Sequence, residues 1–131
     1  MPRATERVGR SGEYLTAALL SLVSDTVLIV PHGSEADIVF EHNNKLYKVQ
    51  VKTSSKINTG RVNWRFDMRR GADTKNRNYK EQAVDIFALA SLLHRNVVFI
   101  KPMNQNQITI ADEHMKNNDS VKNLNDILDN I

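Results

Sequence analysis

The sequence predicts a single domain of the α+β class with a mixed sheet: a helix near the start, a run of short strands, and a closing helix. Three observations predict it. Apolar residues recur at helical spacing near both ends, and short β-branched or alternating runs separated by Asn, Gly and Pro fill the middle. The 131 residues, 40% hydrophobic and 25% charged, suit one globular core rather than a disordered, collagen-like or coiled-coil chain.

Taken in order, residues 12–24 place Leu15, Ala18, Leu19, Leu22 and Val23 on one stripe of an amphipathic helix, with Ser11 positioned to cap it. Residues 26–30 are β-branched and end at Pro31, so a short buried strand is expected. Residues 36–40 and 46–52 flank His42-Asn43-Asn44 and read as a hairpin, because Asn tolerates positive φ. Residues 54–60 have a loop composition, and residues 62–66 alternate as an edge strand would. Residues 69–77 read as a mobile basic loop, and residues 84–90, 97–100 and 107–110 as three further strands. From residue 120, Val121, Leu124, Leu128 and Ile131 mark a helix capped by Asp119 or Ser120.

A two-residue turn at Asn43-Asn44 makes paired hairpin positions sum to 87. Ala36 then faces Val51, Ile38 faces Val49 and Phe40 faces Tyr47, an apolar layer on one side. The other side carries Asp37 opposite Gln50, Val39 opposite Lys48 and Glu35 opposite Lys52. Cβ atoms of facing residues are about 4.5–5.5 Å apart, which gathers Asp37, Gln50 and Lys52 into one polar patch. A carboxylate, an amide oxygen and nearby backbone carbonyls such as that of Val51 are hard oxygen ligands for a divalent ion, and an adjacent ammonium can offset phosphate charge. An ordinary solvated strand face would present the same residues.

Charge points to the partner. Residues 45–80 carry 11 basic and 2 acidic side chains, against 3 and 6 in residues 1–44 and 2 and 5 in residues 112–131. A basic middle inside an acidic chain suits a polyanion, DNA or RNA. Lys56, Arg61, Arg65, Arg69, Arg70, Lys75, Arg77 and Lys80 are the candidate backbone contacts. Trp64, Phe66 and Tyr79 lie among them, fitting either base stacking or a strand with a buried face. The absence of Cys excludes a disulfide framework, a thiolate metal site and a cysteine nucleophile. No apolar run approaches the ~20 residues of a membrane span, and the start lacks a secretory apolar segment, so a soluble cytoplasmic protein is expected.

At these residues the chain resembles the PD-(D/E)XK nuclease superfamily. The matching positions are Glu13 in Gly12-Glu13-Tyr14, Asp37 in Ala36-Asp37-Ile38, and Gln50-Val51-Lys52. The resemblance covers about residues 8–101. It is nearest to the small branch containing intron-encoded homing endonucleases, in which Gln-x-Lys replaces Glu-x-Lys. The stretch from Tyr79 through Asp85-Ile86-Phe87-Ala88 is similar to a later motif of that branch. Two positions depart from the superfamily: Ala36 stands where Pro precedes the first Asp, and Gln50 removes one negative charge from the metal site.

The resemblance implies a restriction-endonuclease-like core, with residues 103–131 as a C-terminal extension. It also implies a Mg²⁺-dependent DNA endonuclease, with Mn²⁺ as a substitute ion, in a prokaryotic or phage-infected cell. Asp37, Gln50 and Lys52 would carry the chemistry, with Glu13 and the Val51 carbonyl completing the metal environment. Glu35 and His32 are lesser candidates, and Asp85 is expected to be structural. A double-strand cut requires two sites, so double-stranded DNA is the expected partner and a homodimer or homotetramer the expected assembly. A Holliday-junction resolvase, an RNA nuclease and a catalytically inactive nucleic-acid-binding module remain open alternatives.

Overall fold

The hairpin around Asn43 and Asn44 forms in the predicted register. Both residues have positive φ, 51° and 66°, the backbone that a two-residue turn matched to strand twist requires. The pairs Ile38 to Val49, Val39 to Lys48 and Phe40 to Tyr47 all occur. The computed structural model describes residues 3–31, 34–55, 63–68 and 84–131. Residues 56–60 of the expected loop at 54–60, the whole expected basic loop at 69–77, and His32 lie outside them.

Among the described residues a helix, α1 (Arg3–Leu20), precedes β1 (Val27–Ile29), β2 (Ile38–His42) and β3 (Lys45–Ser54). Then come β4 (Asn63–Asp67), β5 (Ile86–Ser91), β6 (Asn96–Ile100), β7 (Gln107–Ala111), α2 (Asp112–Asn117) and α3 (Ser120–Leu128). One sheet has the order β1-β2-β3-β5-β6, and β4 pairs with β7 as a separate two-stranded ribbon. Only β3 and β5 run parallel within that sheet; the other neighbours are antiparallel.

Two apolar clusters lie on opposite faces of the sheet. One joins Ile38, Phe40, Val49, Val51, Ile86 and Ala88 to Leu20 of α1 and to Leu124, Ile127 and Leu128 of α3. The other joins Phe87, Leu89 and Val98 to Trp64 and Phe66 of β4, Ile108 and Ile110 of β7, and Met115 of α2. Strand β5 is covered on both faces, which is why it reads as a continuous apolar run rather than an alternating one. No helix among the described residues is long and apolar enough to cross a membrane.

Several local expectations need correction. Helix α1 begins at Arg3, not near residue 12, so Ser11 is internal; exposed good helix formers extend the helix through Gly9 and Gly12. Its fully buried positions are Gly12, Thr16 and Leu20, whereas Leu22 lies past the helix end and is 69% exposed. The Thr16 hydroxyl donates to the Gly12 carbonyl at 2.8 Å, which makes a polar residue tolerable there. Strand β1 is an edge strand with Leu28 and Ile29 exposed, not a buried one. Helix α2 gave no periodic signal because it is six residues long and buries only Met115. Helix α3 is capped as expected, with Asp119 accepting from the Lys122 N–H, but it ends at Leu128, and Ile131 beyond it is exposed.

Candidate active site at the end of the hairpin

A bulge builds the centre of the site. The Val49 carbonyl, opposite Ile38 in the ladder, also accepts from the Asp37 N–H at 2.9 Å. Two residues of one strand therefore face one of the other, the arrangement that bends a strand and re-aims a side chain. As a result Ala36 does not continue the Ile38/Phe40 layer as the register arithmetic predicted; it joins the cluster on the opposite face. Beyond Ile38 the Asp37 carboxylate takes over from the β2 backbone. Its Oδ2 accepts from the Val51 N–H at 2.9 Å and from Gln50 Nε2 at 2.8 Å. The N–H and C=O of one residue point to the same edge of a strand, so the Val51 carbonyl shares that edge with Asp37.

Gln50 and Lys52 pair with Phe87 and Leu89 of β5, so their side chains lie on the face covered by the ribbon. Gln50 is 9% exposed, and its Oε1 is buried with no hydrogen-bond partner among the described residues. Burial pushes the Lys52 ammonium below the usual lysine range, while the carboxylates of Asp67 and then Asp37 oppose the shift. The sequence reading overlooked Asp67. Alternation along β4 places Asn63, Arg65 and Asp67 on its polar side, but only the tertiary fold brings that strand beside Lys52.

Glu13 is half-buried on α1, next to Gly12, where a Cβ would fall inside the Thr53 side chain. Helix α1 thus crosses β3 one residue beyond Lys52, on the sheet face opposite the Gln50 and Lys52 side chains. Glu35 is also half-buried. Among the described residues no three His, Asp or Glu side chains converge as a metal cluster. An ion held here would rest on the Asp37 carboxylate, the Gln50 oxygen and backbone or water oxygens, with Glu13 as the further candidate. That donor set suits Mg²⁺, which keeps several of its waters.

Arg65 is the one candidate DNA contact within the described residues, and it is exposed on β4 opposite Thr109. The other seven lie in the segments outside them. Trp64 and Phe66 are buried in the second cluster, so neither is available for base stacking. Trp64 Nε1 instead donates to Asp112 Oδ1 at 2.9 Å, and His94 Nε2 meets the same oxygen at 2.7 Å. This contact ties the ribbon to the β5–β6 turn and to the start of α2. Asp85, expected to be structural, accepts at Oδ2 from the Lys48 N–H at 2.8 Å.

These elements define a mixed sheet between a helical layer and a ribbon, with a polar site where the hairpin opens. No protein-family model and no curated protein matches the sequence. Among solved structures the chain is similar to that of the bacterial homing endonuclease I-Ssp6803I. The TM-score is 0.74 at 19% sequence identity, covering 96% of this chain and 94% of that one. Residues 107–128 contribute to both apolar clusters.

Proposed function

We propose that this chain is a metal-dependent DNA endonuclease of the PD-(D/E)XK type, acting as a homing-type enzyme of phage or intron association. The observation that carries the reading is the site itself: Asp37, Gln50 and Lys52 meet at the open end of the hairpin, with a buried Gln50 oxygen lacking a donor among the described residues. The fold likeness to a bacterial homing endonuclease supports it, as does the excess of cations in residues 45–80.

In this reading Asp37, the Gln50 oxygen and the Val51 carbonyl hold Mg²⁺ or Mn²⁺, with Glu13 reaching it directly or through water. The ion, when bound, supplies polarisation of the scissile phosphate and charge stabilisation. The chain's own residues supply position. The Val51 N–H fixes the Asp37 carboxylate by a bond that needs no rotamer search. Lys52, desolvated on the ribbon face, faces developing negative charge without first shedding a water shell. Arg65 and the basic segments on either side of β4 hold the phosphate backbone, which sets register rather than sequence. Two copies of the chain bring two such sites to the two strands.

The test is incubation of the full chain with phage DNA, supercoiled plasmid, a four-way junction and RNA, in Mg²⁺, Mn²⁺ or EDTA. Metal-dependent cutting of linear duplex supports the proposal. Preference for the junction would identify a resolvase, and cutting of RNA alone would move the substrate class. Salt-sensitive binding without cutting anywhere would identify an inactive binding module.

A further inference from the structure

Gln50 is satisfied at one end only. Its Nε2 donates to Asp37 Oδ2 at 2.8 Å, while Oε1 is shielded from solvent without a donor among the described residues. A buried acceptor left without a partner costs about 1–3 kcal/mol, so something must favour this orientation. The two ends of a carboxamide differ in chemistry: the NH₂ end suits a carboxylate and the oxygen suits a cation. A glutamate at this position would set two carboxylates side by side, and their repulsion would raise a pKa or push them apart in the absence of an ion. Glutamine turns that repulsion into a hydrogen bond.

The acceptor is also filled. A carboxylate oxygen offers about two lone-pair directions, and Asp37 Oδ2 already accepts from the Val51 N–H at 2.9 Å as well as from Gln50. The Val51 donor is fixed in β3, so the amide is the group able to yield. We propose that Gln50 is a latch on Asp37: closed, it holds the carboxylate in place before an ion arrives, and it opens as a divalent cation competes for that carboxylate. The inference rests on the endonuclease reading above. It separates two properties that a second carboxylate would join, since the latch orders the ion-free site and at the same time weakens ion uptake.

The experiment is a MgCl₂ titration of the ¹⁵N-labelled full chain without DNA, following the Gln50 side-chain NH₂ signals and the Val51 backbone amide. Calorimetric Mg²⁺ titrations of the wild type and Gln50→Glu run alongside. The latch predicts that the Gln50 and Val51 signals move together to one saturation point. It also predicts that Gln50→Glu takes up Mg²⁺ at least roughly tenfold more tightly, the scale of one charged hydrogen bond released. Saturation at Val51 with the Gln50 NH₂ unmoved overturns the latch and leaves the metal site standing. Equal affinity in a folded Gln50→Glu overturns it too. If neither protein takes up Mg²⁺ or Mn²⁺, the endonuclease reading fails and the latch with it. Should Gln50→Glu not fold, the wild-type signals, assigned by correlation to the Gln50 backbone, decide alone.

Discussion

Two glycines of the same helix should respond to alanine with opposite signs. Gly9 and Gly12 both lie inside α1, where replacing glycine by alanine ordinarily stabilises by about 0.5–1 kcal/mol through lower backbone entropy and better propensity. At Gly9 nothing lies within 4 Å of the added Cβ, so the full gain is expected. At Gly12 the added Cβ would overlap Oγ1, Cγ2 and Cβ of Thr53. Rotating the threonine cannot remove that overlap, because its Cβ is fixed to β3. Overpacking of this kind costs about 1–3 kcal/mol, which outweighs the propensity gain. Gly9→Ala should therefore raise the urea midpoint, and Gly12→Ala should lower stability by about 1–2 kcal/mol net. Because the helix can relieve the clash only by moving off β3 beside Lys52, Gly12→Ala should also reduce cleavage while Gly9→Ala leaves it intact. Equal stabilisation by both substitutions, in denaturant melts with unchanged m-values, would refute the close crossing of α1 on β3.

Further outcomes follow from the same geometry. Lys52→Met should reduce cleavage by about 10²–10³-fold, the usual effect of losing one charge-stabilising group. Its folded pKa is lowered from 10.5, so unfolding takes up a proton between the lowered value and 10.5 and stability rises with pH through that window. Lys52→Met should therefore melt higher at pH 7 and lose that alkaline rise. The Asp112 carboxyl is held below its ordinary 3.8 by hydrogen bonds from His94 and then Trp64. Its contribution is present above that pH and lost as pH falls through the lowered value, so Asp112→Asn should lower Tm at pH 7 and converge on wild type in strong acid. Asn123 exchanges two hydrogen bonds with the Phe99 backbone at 2.6 and 2.9 Å, closing the outer edge of β6. Asn123→Ala should cost about 1–3 kcal/mol and expose a strand edge, read as a lower urea midpoint and self-association in size-exclusion chromatography.

What could be read from the chain alone followed from short-range chemistry. Asn43-Asn44 fixed a two-residue turn, and the turn fixed the register from His42–Lys45 to Ile38–Val49, while Asp37 meets Gln50 through its side chain. The extension of that register past Ile38 did not hold, because a bulge leaves no mark on a stretch as short as Ala36-Asp37-Ile38. Alternation around Trp64 and Phe66 identified a strand but could not say which face was covered. Burial by β7 and α2 decided that against stacking. Asp67 escaped notice for the same reason: its role depends on a neighbour, Lys52, fifteen positions away on a strand with which β4 does not pair. The apolar stripe from Leu15 located the helix but not its start at Arg3, because the first turns are exposed, and Gly12 marks a tertiary crossing.

In the proposed function Asp37 anchors a metal-dependent cut in DNA. The most direct measurement maps the ends produced in phage genomic DNA by the wild type and by Asp37→Asn, in Mg²⁺ and in EDTA, with DNA affinity measured on the same preparations. Discrete new ends are expected in Mg²⁺ for the wild type alone, at comparable affinity for the two proteins. Ends that persist in EDTA or in a folded Asp37→Asn, or their absence from the wild type at every ion concentration, would contradict it.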